Sequence, residues 1–533
     1  MSVTSINTAR VSLVQQLSVV QRQLSSNQTN LLDVQTQLST GKRLNKISDD
    51  PAAGAAVLQL RKTLADRQAY ADSLTTVSSN LGQVDSTLSN LTDMLRQAQQ
   101  TASANVGSIV SASDRTAAAS VVSSLYDQVL SLANQQNQGV YLFGGDQGAT
   151  APYVADLGGI RFDGSQKVLA NEVDEGASLA LNAPAGSIFG DLSGRVAGSV
   201  DLTGPNAQAP LTPLTQLADL KGGVGLDLAS GFVITNGAKS ATIDLTGAKT
   251  LEDLCNRVKA ANVGAVARIN ADGTGIDICN AVQGTAMSIT ENGGTTAADL
   301  GIRTFSPTTR LADLNDGSGI GAVVGNDIEI TRSDGTKFQV DLSSAQTVQD
   351  AMSAINTASG GNVSATFSTT GADGIILTDT AGGPGPISVA SINGSNAAAG
   401  LGLDGTVTGN TVLTGRDVGA VHTGGIFTSL ANLRDALVHN DQNGITAAAG
   451  ELQNDLNRVV LVRGQVGAMA QEASNRQTQI QDQNVATQSL LSGLQDTDYN
   501  AAITKFQTLQ TALQAQLQTT GKVLNQSLMD FLQ

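Results

Sequence analysis

Side chains able to do chemistry are sparse in this 533-residue sequence. Histidine occurs twice, as His422 and His439, and cysteine twice, as Cys255 and Cys279. There is no His-Glu-x-x-His, and no Cys/His cluster has metal-ligand spacing, so a catalytic zinc site is not expected. His439, beside Asn440, reads as a residue that caps or decorates a helix end. Cys255 falls in a short helical pattern where a second copy of the same pattern has Met352, and reads as a packed apolar side chain. Cys279 falls in a strand where the other copy has Thr378. A Cys255–Cys279 disulfide stays open, but two thiols are not a disulfide framework. Neither thiol has a base nearby in sequence to make it a nucleophile.

Acidic-glycine pairs recur at Asp163-Gly164, Asp272-Gly273, Asp334-Gly335, Asp373-Gly374 and Asp404-Gly405. The calcium-loop pattern with its closing Glu is missing, and tight turns account for these pairs. Gly144-Gly145-Asp-Gln-Gly148 lacks the Lys-Ser/Thr of a phosphate loop and precedes no helix. It follows Val140-Tyr-Leu-Phe143 and precedes Tyr153, which reads as a β-hairpin. No catalytic, cofactor-binding or metal-binding residue is expected, and the chain does not read as an enzyme.

The balance of charge agrees. The formal charge is −16, with charged residues at 14% and aromatics at 3%. With no basic stripe, such a surface repels phosphate backbones, so nucleic acid is not an expected partner. Nowhere do ~18 consecutive apolar residues occur, so no membrane span is expected. Residues 1–10 lack a basic stretch followed by an apolar run, so no cleaved signal peptide is expected.

What remains to be positioned is apolar stripes. Leu13, Leu17, Val20, Leu24, Asn27, Leu31, Val34 and Leu38 follow a 4-3-4-3-4-3-4 spacing, a heptad seam with one polar member. Asn27 either fixes register or sits near the surface. Gly41 should stop this helix, and Ser48, Asp49 or Asp50 should cap the next, with Pro51 at or near its first position. A second seam runs Leu74, Val77, Leu81, Val84, Leu88, Leu91, Leu95, Ala98. A third helix is expected from about 114 to 138, with Val121, Leu125, Val129 and Leu132 inward. Near the other end, a helix over about 446–491 carries Leu452, Leu456, Val459, Val466 and Met469, and Gly493 and Asp496 mark a break. The last helix carries Phe506, Leu509, Leu513, Leu517, Thr520, Leu524, Leu528 and Phe531, on an eleven-residue drift.

Between the helical ends lies a Gly/Thr/Asp-rich stretch with an internal repeat. One copy runs from Leu217-Ala-Asp-Leu220 through Thr250-Leu-Glu-Asp-Leu254 to Gly301-Ile302. The other runs from Leu311-Ala-Asp-Leu314 through Thr347-Val-Gln-Asp-Ala351 to Gly402-Leu403. Each reads as strands, a short helix and a hairpin. The expected fold class is mixed: a long α-helical coiled coil or bundle formed by both termini, with a central β-rich (α+β) insert of two tandem repeats. The expected division is an N-terminal assembly helix (1–48), a bundle part (49–140), a β-hairpin (141–165), an insert (166–420, repeats about 211–303 and 308–405), a second bundle part (421–492) and a C-terminal assembly helix (493–533). The end stripes need covering by each other or by other chains. The expected assembly interface is therefore Leu13, Leu17, Val20, Leu24, Asn27, Leu31, Leu38, Phe506, Leu509, Leu513, Leu517, Leu524, Leu528 and Phe531.

These residues carry a resemblance. Leu38-Ser-Thr-Gly-Lys-Arg-Leu-Asn-Lys-Ile-Ser-Asp-Asp-Pro-Ala-Ala-Gly54 resembles the N-terminal signature of flagellin-type proteins. Leu494-Gln-Asp-Thr-Asp-Tyr-Asn500 through Leu528-Met-Asp-Phe-Leu532 resembles their C-terminal domain, and the two Thr-x-x-Asp modules resemble the flagellin insertion repeat. Gly139-Val-Tyr-Leu-Phe-Gly-Gly-Asp-Gln-Gly-Ala-Thr-Ala-Pro-Tyr153 resembles the hook–filament junction members of that flagellin-like family. The resemblance implies a structural part of the bacterial flagellum, extracellular, passed unfolded through the flagellar type III export channel. It implies as partners further copies of the chain, the neighbouring hook-associated junction protein, flagellin and an export chaperone. Filament subunit is the alternative within that class, and an adhesin carried by the insert is another.

Overall fold

The computed structural model describes residues 7–107, 109–224, 226–368 and 373–531, with the side chains of 7–14, 16, 17, 406 and 523–531 outside the description. The helices are α1 (Asn7–Thr40), α2 (Pro51–Asn105), α3 (Ala112–Ala133), α4 (Ala185–Phe189), α5 (Leu251–Ala260), α6 (Thr296–Leu300), α7 (Val348–Ala358), α8 (Ala397–Gly400), α9 (Ile426–Val438), α10 (Gln442–Gln495) and α11 (Tyr499–Phe531). The fold is mixed, with long helices toward both ends and a β-rich centre. The chain forms two compact units, one of residues up to 78, 171–179 and 470 onward, the other of 79–170 and 180–469.

In the first unit α1 packs along α11. Gly41 takes φ +69°, a left-handed turn that ends α1. Asp50 caps α2 by accepting a hydrogen bond from the Ala53 N–H at 3.1 Å, with Pro51 as the first helical residue. The return break falls later than Gly493: α10 runs through that glycine to Gln495, and Asp496 opposes Lys42 in a β-bridge.

In the second unit the predicted seam is the core. Leu81, Val84, Leu88, Leu91, Leu95 and Ala98 are all at most 1% exposed. In α3 the stripe is one residue off the expected one. Val122, Leu125 and Val129 are buried, whereas Val121 is 43% exposed and Leu132 half-buried. A Val-Val doublet can face inward by either member, and a stripe that begins at the buried Arg115 selects the second. On α10 the buried line is Ile445, Leu452, Val459, Val462 and Val466, with Leu456 and Met469 at its half-buried edge.

The segment after α3 is not one hairpin over 140–153. Two residues, 136–137, pair with 140–141, and the hairpin proper joins Tyr153–Asp156 to Gly159–Phe162. Phe143 and Tyr153 enter a ring cluster with Phe189 and Phe427, at centroid separations of 4.9 Å for Tyr153–Phe189 and 5.2 Å for Phe143–Phe189. In a chain with 10 Phe and 5 Tyr, gathering these rings in one place makes this a focal point of its core.

The repeats fold as two modules with separate cores, one spanning Val196 to Ile302 and the other Phe305 to Val418. In the first, Phe232–Asn236 sits between Lys239–Ile243 and Ala286–Glu291, and Ala265–Ile269 pairs with Ile276–Asn280. In the second, Asn326–Thr331 sits between Lys337–Asp341 and Ser388–Ser391, and Val363–Phe367 pairs with Ile375–Asp379. The likeness extends to single bonds. Thr250 and Asp253 make a capping box on α5, and Thr347 and Asp350 make the same box on α7. Leu217 N–H donates to Lys249 O at 2.8 Å, as Leu311 N–H does to Gln346 O at 2.8 Å. We expect Thr250→Ala to lower stability by about 1 kcal/mol, and Thr347→Ala to do the same, as read by urea melts.

The cysteines are both free, Cys255 half-buried on α5 and Cys279 buried in its strand, so the disulfide left open above is not formed. Cys279 shares its register position with Thr378, as the repeat predicts. His439 accordingly follows α9 as its cap, with Nδ1 2.8 Å from Asp435 O. Acidic-glycine pairs also meet arginines: Asp163 lies 2.7 Å from Arg161 and Asp404 2.9 Å from Arg416, and the Asp373 carboxylate is buried against Arg303, 2.6 Å away.

Candidate assembly interface

Helices α1 and α11 have 34 and 33 residues, so each is roughly 50 Å long at 1.5 Å per residue. Over residues 15–40 and 499–522 the charged side chains are Arg22, Asp33, Lys505 and Lys522. Amide, hydroxyl and aliphatic groups make up the rest. Such a surface packs by shape and hydrogen bonding rather than by ion pairs.

The heptad stripe is where the two helices meet. Val34 is 1% exposed, and Val20, Leu24, Asn27, Leu31 and Leu38 are half-buried. Across from them Phe506, Leu509 and Leu513 are half-buried, while Leu517 is 53% exposed. Leu13 and Leu17 on α1, and Leu524, Leu528 and Phe531 on α11, lie outside the described side chains. Asn27 does not merely sit at the surface: its Nδ2 donates to Gln516 Oε1 at 2.7 Å. That bond ties one height on α1 to one height on α11, which is what a polar seam residue does for register.

Pairing covers one side of each helix and leaves another open. Val19 is 50% exposed, Leu32 62%, Ile503 44% and Leu517 53%. The spacing of the seam did not single out Val19, Leu32 or Ile503. Their signal is the doublets Val19-Val20 and Leu31-Leu32, because neighbours on a helix lie about 100° apart and cannot share one face.

The turns beside this pair are bound together. Arg43 N–H donates to Gln495 O at 2.7 Å, Arg43 Nη2 to Leu494 O at 2.8 Å, and Thr497 N–H to Gly41 O at 2.9 Å. Beneath them Leu44, Val57 and Leu491 form a small core with Leu60, Leu64 and Leu494. Arg61 reaches Gln495 Oε1 at 3.1 Å, and Arg67 reaches Thr487 Oγ1 at 2.8 Å. The two ends of the chain therefore enter the pair as one fixed unit, from a basic, apolar-lined turn that the signature 38–54 encodes.

Among the described residues, no group of three or more His, Cys, Asp or Glu is placed to hold a metal ion, and no helix is long and apolar enough to cross a membrane. The rings of Tyr126 and Tyr153 instead serve packing. Burial pushes the Tyr126 hydroxyl up to about 12 and Tyr153 well above the usual phenol range, and both rings belong to the aromatic core.

Residues 11–147 match the model of the bacterial flagellin N-terminal helical region. The matched stretch holds most of α1 together with α2 and α3. The chain is similar, more particularly, to flagellar hook-associated protein 3: 27% identical to that of Salmonella typhimurium over 171 residues, which is 32% of this chain and 53% of the relative. To that of Escherichia coli it is 27% identical over 181 residues, 34% of this chain and 56% of the relative. The chain thus spans about half the length of the curated relatives it matches. Among solved structures, it is similar to the Xanthomonas campestris FlgL crystal structure, at 14% identity and TM-score 0.37, covering 81% of this chain and 99% of that one. It is also similar to hook-associated protein 3 from Legionella pneumophila, at 12% identity and TM-score 0.38, covering 82% and 98%.

Proposed function

We propose that this chain is a structural component of the bacterial flagellum, an adaptor at the hook–filament junction that assembles through its paired terminal helices. The observation that carries the reading is the α1–α11 pair, whose seam is only half covered and whose outer faces present Val19, Leu32, Ile503 and Leu517. An isolated two-helix pair is marginal, because ordering each residue costs about 1–2 kcal/mol and a single seam returns little. Neighbouring subunits supply the missing burial. On this reading the partners are further copies of the chain, the neighbouring hook-associated junction protein and flagellin, with a flagellar export chaperone before assembly. The assembled location is outside the cell. The outermost segments, 1–48 and 493–533, are the assembly elements, and the relatives' structural roles support reading no catalysis into the chain.

Within the same class the chain could instead be the filament subunit, as the flagellin-type match over 11–147 allows. Labelled imaging separates the two. The adaptor predicts one spot where hook meets filament, and label along the whole filament would replace it by the filament-subunit reading.

The interface makes a second prediction. Leu24→Asp with Leu513→Asp places a carboxylate in each half of the seam, at about 2–3 kcal/mol each. Incorporation into assembled flagella should fall at least about thirtyfold, while the urea midpoint of the second unit stays unchanged. Incorporation at the wild-type level would remove these residues from the interface.

A further inference from the structure

The two repeat modules join at a neck, which the chain enters at Arg303–Thr304 and leaves at Asp417–His422, and a further tie runs from Asn443 Nδ2, at the start of α10, to Asn396 Oδ1 of the second module at 2.9 Å. On the entry side, Thr304 exchanges hydrogen bonds with Ile289 of the first module, its Oγ1 accepting from Ile289 N–H at 3.0 Å. Arg303 reaches the other way. Its Nε and Nη2 donate to the Asp373 carboxylate at 2.7 and 2.6 Å, and its guanidinium lies 4.9 Å from the Phe367 ring centre. On the exit side, His422 pairs with Ala286 in the first module's sheet. Its backbone N–H donates to Asp316 Oδ1 at 3.1 Å, and its Nδ1 lies 2.6 Å from Asp316 Oδ2, in the second module. Between the two, Asp417 accepts from Gly419 N–H at 2.8 Å, while its other oxygen is buried without a hydrogen-bond partner among the described residues.

We propose that this neck is a proton-operated hinge: the second module is clasped to the first while Asp417 is protonated and His422 charged, and is freed as both lose their protons.

The geometry supplies the reason. An ionised Asp417 leaves a buried carboxylate oxygen with no donor, and the charges facing it are Asp373 and Arg303. Arg303 is already engaged by Asp373 through both ends of its fork. The further carboxylate near that pair, Glu291, takes its donors from the Ala297 and Ala298 N–H groups. A neutral His422 loses its charge attraction to Asp316. The other groups facing His422 are carboxylates too, Glu451 on α10 and Asp435 on α9, with Asp435 paired to Arg434.

The titrations run the same way. Burial raises Asp417 from 3.8 to about 6, with Asp373 adding to the rise and the Gly419 N–H and Arg303 opposing it. Burial pulls His422 down, but the Asp316 carboxylate 2.6 Å from its Nδ1, then Glu451 and Asp435, raise it above its ordinary value. A group whose folded pKa is raised lends stability that is present below its unfolded value and lost as pH rises through the folded one. For Asp417 that loss begins above its ordinary 3.8 and is complete beyond about 6. For His422 it begins near 6.5 and ends above the raised value. The clasp therefore loosens from mildly acidic pH upward, and the Asp417 shift alone allows roughly a hundredfold change in the open population.

Hydrogen exchange on the full chain at pH 5 and pH 8, corrected for intrinsic rates, tests this. Peptides over 303–316 and 415–424 should open at least about tenfold more at pH 8, while 74–98 stays equally protected. Asp417→Asn should keep the neck protected at pH 8, and His422→Gln should loosen it already at pH 5. These opposite shifts also distinguish a hinge from general damage. Equal neck protection of the wild-type chain at both pH values would overturn the proposal, as would Asp417→Asn opening with the wild-type pH dependence.

Discussion

Leu88→Ala should lower the unfolding free energy of the second unit by about 3–5 kcal/mol. Leu88 lies on α2 in a seam whose described members are at most 1% exposed, and its own exposure is 0%. Truncation removes the transfer free energy of the lost carbons and leaves a cavity that long helices cannot close without shifting register. The control is Val121→Ala, at a position 43% exposed, where the change should stay within about 1 kcal/mol. Urea melts followed by helical circular dichroism read both. A Leu88→Ala midpoint equal to wild type would show that the seam is not the core.

Arg115→Met should cost about 2–4 kcal/mol, although no acidic partner is lost. Arg115 is 1% exposed on α3. Its Nε donates to Asn105 O at 2.9 Å, at the end of α2, its Nη2 to Gly107 O at 2.9 Å, and its Nη1 to Asn440 Oδ1 in the turn between α9 and α10. Last-turn carbonyls lack helical partners and carry the negative end of the helix dipole, so a buried guanidinium satisfies and complements them. Methionine fills the volume but leaves the carbonyl of the buried Asn105 without its donor. Arg115→Lys should recover only part of the loss, since one ammonium cannot span three acceptors in a fixed fork. A melt of Arg115→Met indistinguishable from wild type would refute this role.

What the sequence made legible was periodic. The seam 74–98 and the stop at Gly41 follow from spacing and from a residue that tolerates positive φ. The twin modules follow from the repeated Thr-x-x-Asp boxes. What escaped it depends on partners distant in the chain. Arg115 looks like any surface arginine until Asn105, Gly107 and Asn440 converge on it. Asp373-Gly374 looks like a turn until Arg303 arrives from 70 residues away. Phe143 and Tyr153 suggested a hairpin, because alternation cannot show that their rings meet Phe189 and Phe427. At the terminal pair, spacing found the face that α1 and α11 share. The second face, with Val19, Leu32 and Ile503, is written only in doublets, which a search for one periodic stripe passes over.

Ordering of the terminal pair and assembly should be one event, while residues 79–98, in the other compact unit, fold independently of it. Hydrogen exchange on the soluble monomer, beside the assembled form, measures this directly. Weak protection is expected across 15–40 and 499–522 in the monomer, strong protection of the same peptides after assembly, and full protection of 79–98 in both. Full protection of both ends in the free monomer would contradict it.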